Sequence, residues 1–255
     1  MERLTGKVAI ITGAGRGIGA EIARVFAKEG ADVVLAARTK EEIDHVAEEV
    51  QSIGRKALSV QMDVTVKSDI VSMVQHTMEA FGKVDILVNN AGTIRIANFL
   101  EATEEDWEAI QAIDLKGVFL CTQAVAPHMI SRRYGKIINI TSMAANGWYM
   151  PGFASYCAAK AAVNNLTKTT ARELGQYGIN VNAVAPGEIL TAITYLGQTE
   201  EQVEKKLRNS RDMTMIKRIG EPRDVALPVL FLSTDESSFI TGEIIYVDGG
   251  RIDKM

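Results

Sequence analysis

The sequence predicts an α/β fold: a single domain on a doubly wound, seven-stranded parallel sheet with helices on both faces. Three observations predict it. Short apolar runs alternate with longer segments of helical periodicity, the connections are tight, and the first run passes through a glycine-rich turn straight into a helix. Strand–helix–strand units with short connections close by right-handed crossovers, which makes the strands parallel and buries both sheet faces.

Val8–Thr12 is the first strand and Gly17–Glu29 its helix, ended by Gly30-Ala31. Asp32–Ala37 is the second strand, and the charged, helically spaced stretch Lys40–Ser52 follows until Gly54 breaks it. Ala57–Met62 is the third strand; helix Val66–Phe81 then leads to a fourth, Val84–Val88, ending in Asn89-Asn90-Ala91-Gly92. A long helix begins at Glu104, where Thr103 and Asp106 have the spacing of a capping box, and runs to Ser131 with a break expected near Pro127. Gly135–Thr141 is the fifth strand, Ala154–Tyr177 a helix, Ile179–Ala183 the sixth strand closed by Pro186-Gly187, and Glu221–Leu232 and Ile244–Val247 the last pair. Residues 190–218 are polar and unlike a strand. With Thr199 as a cap before Glu200 they read as a mobile helical flap over the carboxyl ends of the strands, where open α/β sheets bind ligands. No repeat, linker or composition shift divides residues 1–255.

Lysine and arginine number 28 against 32 aspartates and glutamates, a formal charge of −4 with no basic tract. Nucleic acid and membrane surfaces are therefore not expected partners. The start runs directly into a strand and no apolar run is expected to reach membrane-spanning length, so the cytoplasm is the expected compartment. Cys121 and Cys157 lie far apart in helical stretches and read as reduced core thiols rather than a disulfide framework. No metal site is expected.

Thr12-Gly13-Ala14-Gly15-Arg16-Gly17-Ile18-Gly19 follows a strand and opens a helix, the plan of a Rossmann-type dinucleotide site. Glycine lets the backbone turn sharply and approach a pyrophosphate, and free N–H groups at the helix N-terminus meet its charge. Tyr156 and Lys160 stand four apart in one helix, so their side chains share a face one turn apart. A free tyrosine, with a pKa of about 10, is a poor acid or base at neutral pH. An ammonium beside it favours the phenolate and makes proton exchange with a substrate oxygen feasible. Ser142, at the end of the fifth strand, can hydrogen-bond the same oxygen. Tyrosine–lysine pairs alone are mostly structural; here the glycine loop and the strand-end serine accompany the pair.

On these residues the sequence resembles the short-chain dehydrogenases/reductases over essentially its whole length, with the motifs in family order. The glycine loop is similar to the cofactor loop, Asp63-Val64 to the pair beside adenine, and Asn89-Asn90-Ala91-Gly92 to the strand-four motif. Ser142, Tyr156 and Lys160 match the catalytic set, and Pro186-Gly187 through Ile189 and Thr191 the segment that holds the nicotinamide. The resemblance implies an NAD(P)-dependent enzyme moving a hydride between nicotinamide C4 and a ketone or secondary alcohol. Tyr156 is then the acid in reduction and the base in oxidation. Lys160 binds the nicotinamide ribose and lowers the Tyr156 pKa, and Ser142 polarises the carbonyl. The implied cofactor contacts are Gly13, Gly15, Arg16, Gly17, Ile18, Gly19, Arg38, Asp63, Val64, Asn90, Ala91, Gly92, Tyr156, Lys160, Pro186, Gly187, Ile189 and Thr191.

The three residues between Tyr156 and Lys160 are unlike the wider gap of the enoyl-reductase branch, which implies alcohol/ketone chemistry rather than carbon–carbon double bond reduction. One departure stands out. Asp114-Leu115-Lys116-Gly117 replaces the usual Asn-x-x-Gly, whose Asn supports a water-linked proton path to the lysine. If the main-chain carbonyl carries the relay, Asp114 serves and its charge further stabilises the ammonium; if the amide matters, activity falls. The resemblance is strongest to the branch of 3-oxoacyl-carrier-protein reductases and bacterial sugar, steroid and polyol dehydrogenases. It implies a homotetramer, or a dimer, formed through residues 112–129 and 154–174, with the tail 247–255 near another interface.

NAD sites normally place Asp or Glu roughly 20 residues past the glycines, on the ribose hydroxyls. Ala36-Ala37 fill that place and Arg38 follows, presenting a fork of donors to a 2′-phosphate, with Arg16 as a second charge. NADP(H) is favoured; NAD(H) is the alternative. For the small-molecule substrate, Trp148, Tyr149, Met150 and Phe153 offer a bulky apolar wall, Tyr195 is a further candidate, and Arg95 and Glu188 could meet a polar or anionic group. Two other functions compete: an NAD(H)-dependent sugar, steroid, polyol or hydroxy-acid dehydrogenase, and a catalytically weak cofactor-binding regulatory protein.

Overall fold

In a computed structural model that describes residues 2–146, 151–191, 194 and 199–251, strand periodicity decides the layers. The strands are β1 (Val8–Thr12), β2 (Asp32–Ala37), β3 (Ala57–Gln61), β4 (Ile86–Asn89), β5 (Gly135–Ile140), β6 (Ile179–Pro186) and β7 (Ile244–Val247). The helices are α1 (Gly17–Lys28), α2 (Lys40–Ser52), α3 (Lys67–Phe81), α4 (Glu104–Gln111), α5 (Gly117–Arg132), α6 (Ala154–Leu174), α7 (Glu200–Asp212) and α8 (Pro222–Ser233). All strand pairings are parallel, in the order β3-β2-β1-β4-β5-β6-β7. Successive side chains of a strand take opposite faces. Ala9, Ile11, Val33 and Leu35 therefore enter one core with α1, α2 and α8, while Ile10, Val34 and Ala36 enter the other with α3 and α5. The result is the single Rossmann-type α/β domain the sequence predicts.

The structure corrects several boundaries. β6 runs on to Pro186 because Ala183–Pro186 pair with Ile244–Val247 of β7. The long helix is not broken at Pro127, which lies inside α5 on an exposed face, so water reaches the carbonyl its missing N–H leaves free. Its interruption comes earlier, as a π turn at Ala112–Lys116. The whole stretch Glu104–Arg132 is 29 helical residues, long and apolar enough by length and composition to cross a bilayer, contrary to the sequence expectation. In this fold Leu120, Cys121, Val125 and Met129 pack it against the sheet. Thr103 caps α4 by accepting from the Asp106 N–H at 3.1 Å, but the Asp106 side chain turns instead to Arg95. Cys121 is a buried thiol, pushed up to about 12 by burial, whereas Cys157, also in no disulfide among the described residues, is partly exposed rather than a core residue.

Thr199 and Gln202 form a full capping box that starts α7 inside the stretch expected to be a flap. Lys206 Nζ, 3.0 Å from Glu188 Oε1, ties α7 to the loop after β6.

At the opposite end of the sheet Asp85, 1% exposed, accepts from the Val8 N–H at 2.9 Å. It also pairs with Lys83 at 3.1 Å and Arg132 at 2.8 Å. Removing a buried acceptor strands its donors, so Asp85→Ala is expected to cost about 2–4 kcal/mol. Urea unfolding should show a lower midpoint at unchanged slope; an unchanged midpoint would mean the cluster contributes nothing.

Candidate active site

β1 and β4 are neighbours although two strands, β2 and β3, separate them in sequence order, and the crevice at their carboxyl ends is where open sheets take ligands. Two glycines let the chain close tightly there. A Cβ on Gly13 (φ +64°) would stand 2.9 Å from Ala91 Cα, and one on Gly19 would collide with the Gly13 carbonyl and the Asn90 amide. Asn90 Nδ2 donates to the carbonyls of Thr12 and Gly13, each at 3.0 Å. Thr12 Oγ1 in turn accepts from the N–H groups of Asn90 and Ala91 at 3.0 Å. Asn90, expected on the cofactor, thus has its side chain committed to shaping the loop.

Arg16 precedes α1 and gives it no side-chain cap, which leaves the first-turn amides of Gly17, Ile18 and Gly19 available to an anion. A side chain on Gly17 would meet the Thr191 methyl at 3.4 Å, so the loop and the segment after β6 face each other closely. This cradle, walled by glycine and bounded by free amides, fits a dinucleotide. Pro186 ends β6, and the Gly187 N–H donates to Val247 at 2.9 Å. Ile189 is buried and bridges to Gly220.

At the adenosine end expected from the sequence, Arg38 is exposed, and its side chain makes no hydrogen bond or ion pair among the described residues. Arg16 pairs with Glu42 at 3.5 Å, and Glu42 also packs on Gly15, where a Cβ would come within 2.7 Å of it. Asp63 accepts from both the N–H and the hydroxyl of Thr65 at 2.8 Å. Val64 is buried, and Gly117 packs closely on it.

Ser142, Tyr156 and Lys160 do come together. The Ser142 hydroxyl faces the Tyr156 phenol closely enough to favour its ionised form, and it accepts from the Ala144 N–H at 3.1 Å. Lys160 Nζ lies 5.7 Å from the centre of the Tyr156 ring. Burial pushes the phenol above its usual range; Lys160 opposes this and Asp114 adds to it. Lys160 is 4% exposed and donates to the Ile140 carbonyl at 3.0 Å. Burial by itself disfavours the ammonium, but Asp114 and Tyr156 hold its pKa above the usual value. Asp114 is fully buried with Oδ1 3.0 Å from Lys160 Nζ, and Oδ2 accepts from the Thr93 N–H at 3.0 Å.

Of the substrate candidates, Arg95 is paired with Asp106 at 2.6 Å and Glu188 with Lys206, so neither is a free charge. Trp148, Tyr149, Met150 and Tyr195 lie outside the described residues. Sequence reading missed the supporting amides. Asn89 donates to Asn139 Oδ1 at 2.8 Å and to Thr122 at 3.1 Å, and Asn139 donates to Thr167 at 2.9 Å. This ladder ties β4 and β5 to α5 and α6, the helix that carries Tyr156. Asn139 inside the apolar run of β5 was the signal, since a buried amide requires partners.

A family model described as enoyl-(acyl carrier protein) reductase matches residues 13–251. The 3-oxoacyl-(acyl-carrier-protein) reductase FabG of Thermotoga maritima is 42% identical over 251 residues, 98% of this chain and 99% of the relative. In Thauera aromatica, the (2S)-((R)-hydroxy(phenyl)methyl)succinyl-CoA dehydrogenase subunit BbsD is 40% identical over 245 residues, 96% of each chain. A solved 7α-hydroxysteroid dehydrogenase complexed with NADH and 7-oxo glycochenodeoxycholic acid superposes with a TM-score of 0.92 at 38% identity, covering 99% of this chain and 96% of that one.

Proposed function

This chain belongs to the short-chain dehydrogenase/reductase family and is a nicotinamide-dependent oxidoreductase of carbonyl and alcohol substrates, and within that family we propose that it is an NADP(H)-dependent ketone reductase of the 3-oxoacyl type. The observation that carries the chemistry is the convergence of the Ser142 hydroxyl and the Lys160 ammonium on the Tyr156 phenol, beside a glycine cradle shaped for a dinucleotide. The nicotinamide, when bound, supplies a hydride to the carbonyl carbon. Ser142 donates a hydrogen bond to the carbonyl oxygen as charge develops there. Tyr156 gives that oxygen its proton, leaving an alcohol and a tyrosinate that Lys160 stabilises until solvent reprotonates it. The first-turn amides of α1, with Gly13, Gly15 and Thr191 around them, would hold the pyrophosphate, and Lys160 the nicotinamide ribose.

The one-turn spacing of Tyr156 and Lys160 favours carbonyl over enoyl reduction. The 3-oxoacyl assignment draws support from two relatives whose names specify acyl-thioester substrates. NADP(H) preference rests on Arg38, exposed and unengaged among the described residues, directly after Ala36 and Ala37, where a ribose-binding carboxylate would otherwise stand. Oxidation of a steroid, sugar, polyol or hydroxy acid with NAD(H) is the second reading, favoured by the NADH held in the steroid dehydrogenase. We further propose assembly as a homotetramer, consistent with Trp107 (46%) and Phe119 (45%) exposed on the long helix and Phe239 fully exposed near β7.

Titrating the protein with NADPH and NADH, following nicotinamide fluorescence, tests the cofactor; a ketone panel that includes a 3-oxoacyl thioester tests the substrate. Tight NADPH and feeble NADH binding, with the thioester reduced fastest, is the expected result. Preference for NADH with turnover of alcohols alone would replace it by the second reading.

A further inference from the structure

We propose that Asp114 is a positioning residue that fixes the working direction of the site: by neutralising Lys160 it leaves Tyr156 protonated at rest, so the enzyme is set to reduce carbonyls and oxidises alcohols only in alkaline solution. This rests on the acid–base role proposed for Tyr156.

The argument is one of charge and geometry. An isolated ammonium beside a phenol draws out its proton; an ammonium joined to a carboxylate is a net-neutral pair and does so far less. Asp114 Oδ1 is 3.0 Å from Lys160 Nζ, with both side chains buried, so little water screens the contact. The placement is built into the backbone. The π turn Ala112–Lys116 adds a residue to one helical turn exactly where Asp114 must reach inward, and such bulges collect at functional sites. The Thr93 N–H fixes Oδ2 at 3.0 Å. Gly92 leaves the space: a Cβ there would stand 2.9 Å from Asp114 Oδ1 and 3.6 Å from Lys160 Nζ.

Few other groups act on the phenol. Lys160 and Cys157 come from α6 itself and Asp114 from the π turn, while Ser142 contributes a neutral hydroxyl from the end of β5. α4 packs on α6 as well, but Glu104, Glu105 and Glu108 are exposed and Asp106 is paired with Arg95. β6, which lies under α6, carries no titratable side chain. Burial is the first cause that keeps the phenol protonated, and Asp114 is the negative charge that keeps Lys160 from offsetting it.

Removing that charge makes the Tyr156–Lys160 pair surrender its next proton at lower pH. In Asp114→Asn the alkaline limb of ketone reduction and the acidic limb of alcohol oxidation should both move down, by about one pH unit or more. A residue that merely supports the fold would lower kcat without moving either limb. Limbs that stay in place, or move up, overturn the proposal. A second measurement needs no folded variant at that position: the ultraviolet absorbance of tyrosinate, taken as wild type minus Tyr156→Phe across a pH titration. No tyrosinate from Tyr156 at neutral pH is expected, and a resting tyrosinate there overturns the proposal. Full turnover by Tyr156→Phe would remove the acid–base reading and this inference together. An inactive Tyr156→Phe with unmoved limbs in Asp114→Asn would remove this inference alone.

Discussion

Tyr156→Phe is expected to eliminate turnover, by roughly 10²–10⁴-fold, while NADPH binding stays within a few-fold of wild type. The substitution removes one oxygen and keeps the ring. The ring's edge contact with Phe153, at 6.4 Å between centres and 74° between planes, survives, and so does the packing that seats α6 beside β6. What goes is the proton that the carbonyl oxygen must receive. Ser142 is no substitute: its hydroxyl donates a hydrogen bond, but as an alcohol it is too weak an acid to hand over a proton at neutral pH. Lys160 is held as an ammonium by Asp114 and lies behind the phenol, anchored to the Ile140 carbonyl. Initial rates with the ketone panel and fluorescence titration of the same preparation separate the two effects. Activity that survives with binding intact would mean that another group supplies the proton, and the mechanism would have to be rebuilt around it.

How much of this was legible in the sequence follows from the range over which each signal acts. Strand and helix periodicity is local, so β1, β2, α2 and β7 fall where the pattern puts them. Ends that depend on a neighbour do not: β6 extends to Pro186 only because β7 pairs with it, a contact about sixty residues away in sequence. Pro127 looked like a break because proline removes a local hydrogen bond, yet on an exposed face solvent replaces that bond. The site divides in the same way. The glycine loop and the Tyr156–Lys160 spacing are local patterns and could be read directly. The Thr12–Asn90 clamp and the Asn89–Asn139–Thr167 ladder join segments far apart in sequence, and a buried Asn in an apolar strand was their only trace. Arg95 and Glu188 read as free charges because their partners, Asp106 and Lys206, sit on other elements. Asp114 stood out as a departure from a motif whose charge would stabilise the ammonium of Lys160, but the direct 3.0 Å contact and the Thr93 N–H that fixes it became visible only in three dimensions.

Arg38→Asp is expected to reverse the order of cofactor preference. Arg38 follows the last residue of β2, one of the strands flanking β1, and its guanidinium is exposed and unengaged among the described residues. Arg16 is a second cation expected at this end, but Glu42 already takes part of its charge at 3.5 Å, so Arg38 has more to offer a 2′-phosphate. A guanidinium holds a phosphate by paired, charge-assisted hydrogen bonds. Aspartate in its place repels the phosphate and supplies an acceptor for the ribose hydroxyls of NADH, which no carboxylate at Ala36 or Ala37 now provides. Losing the attraction and adding the repulsion at an exposed position together amount to about 3 kcal/mol. That corresponds to a change of about a hundredfold in the ratio of the NADH and NADPH dissociation constants. Because α2 and the glycine loop keep their packing, the change should appear in both dissociation constants, weaker for NADPH and tighter for NADH, with the melting temperature unmoved. Weaker binding of both cofactors would mark damage to the loop. An unaltered ratio would show that Arg38 does not read the 2′-phosphate, leaving Arg16 as the residue to test next.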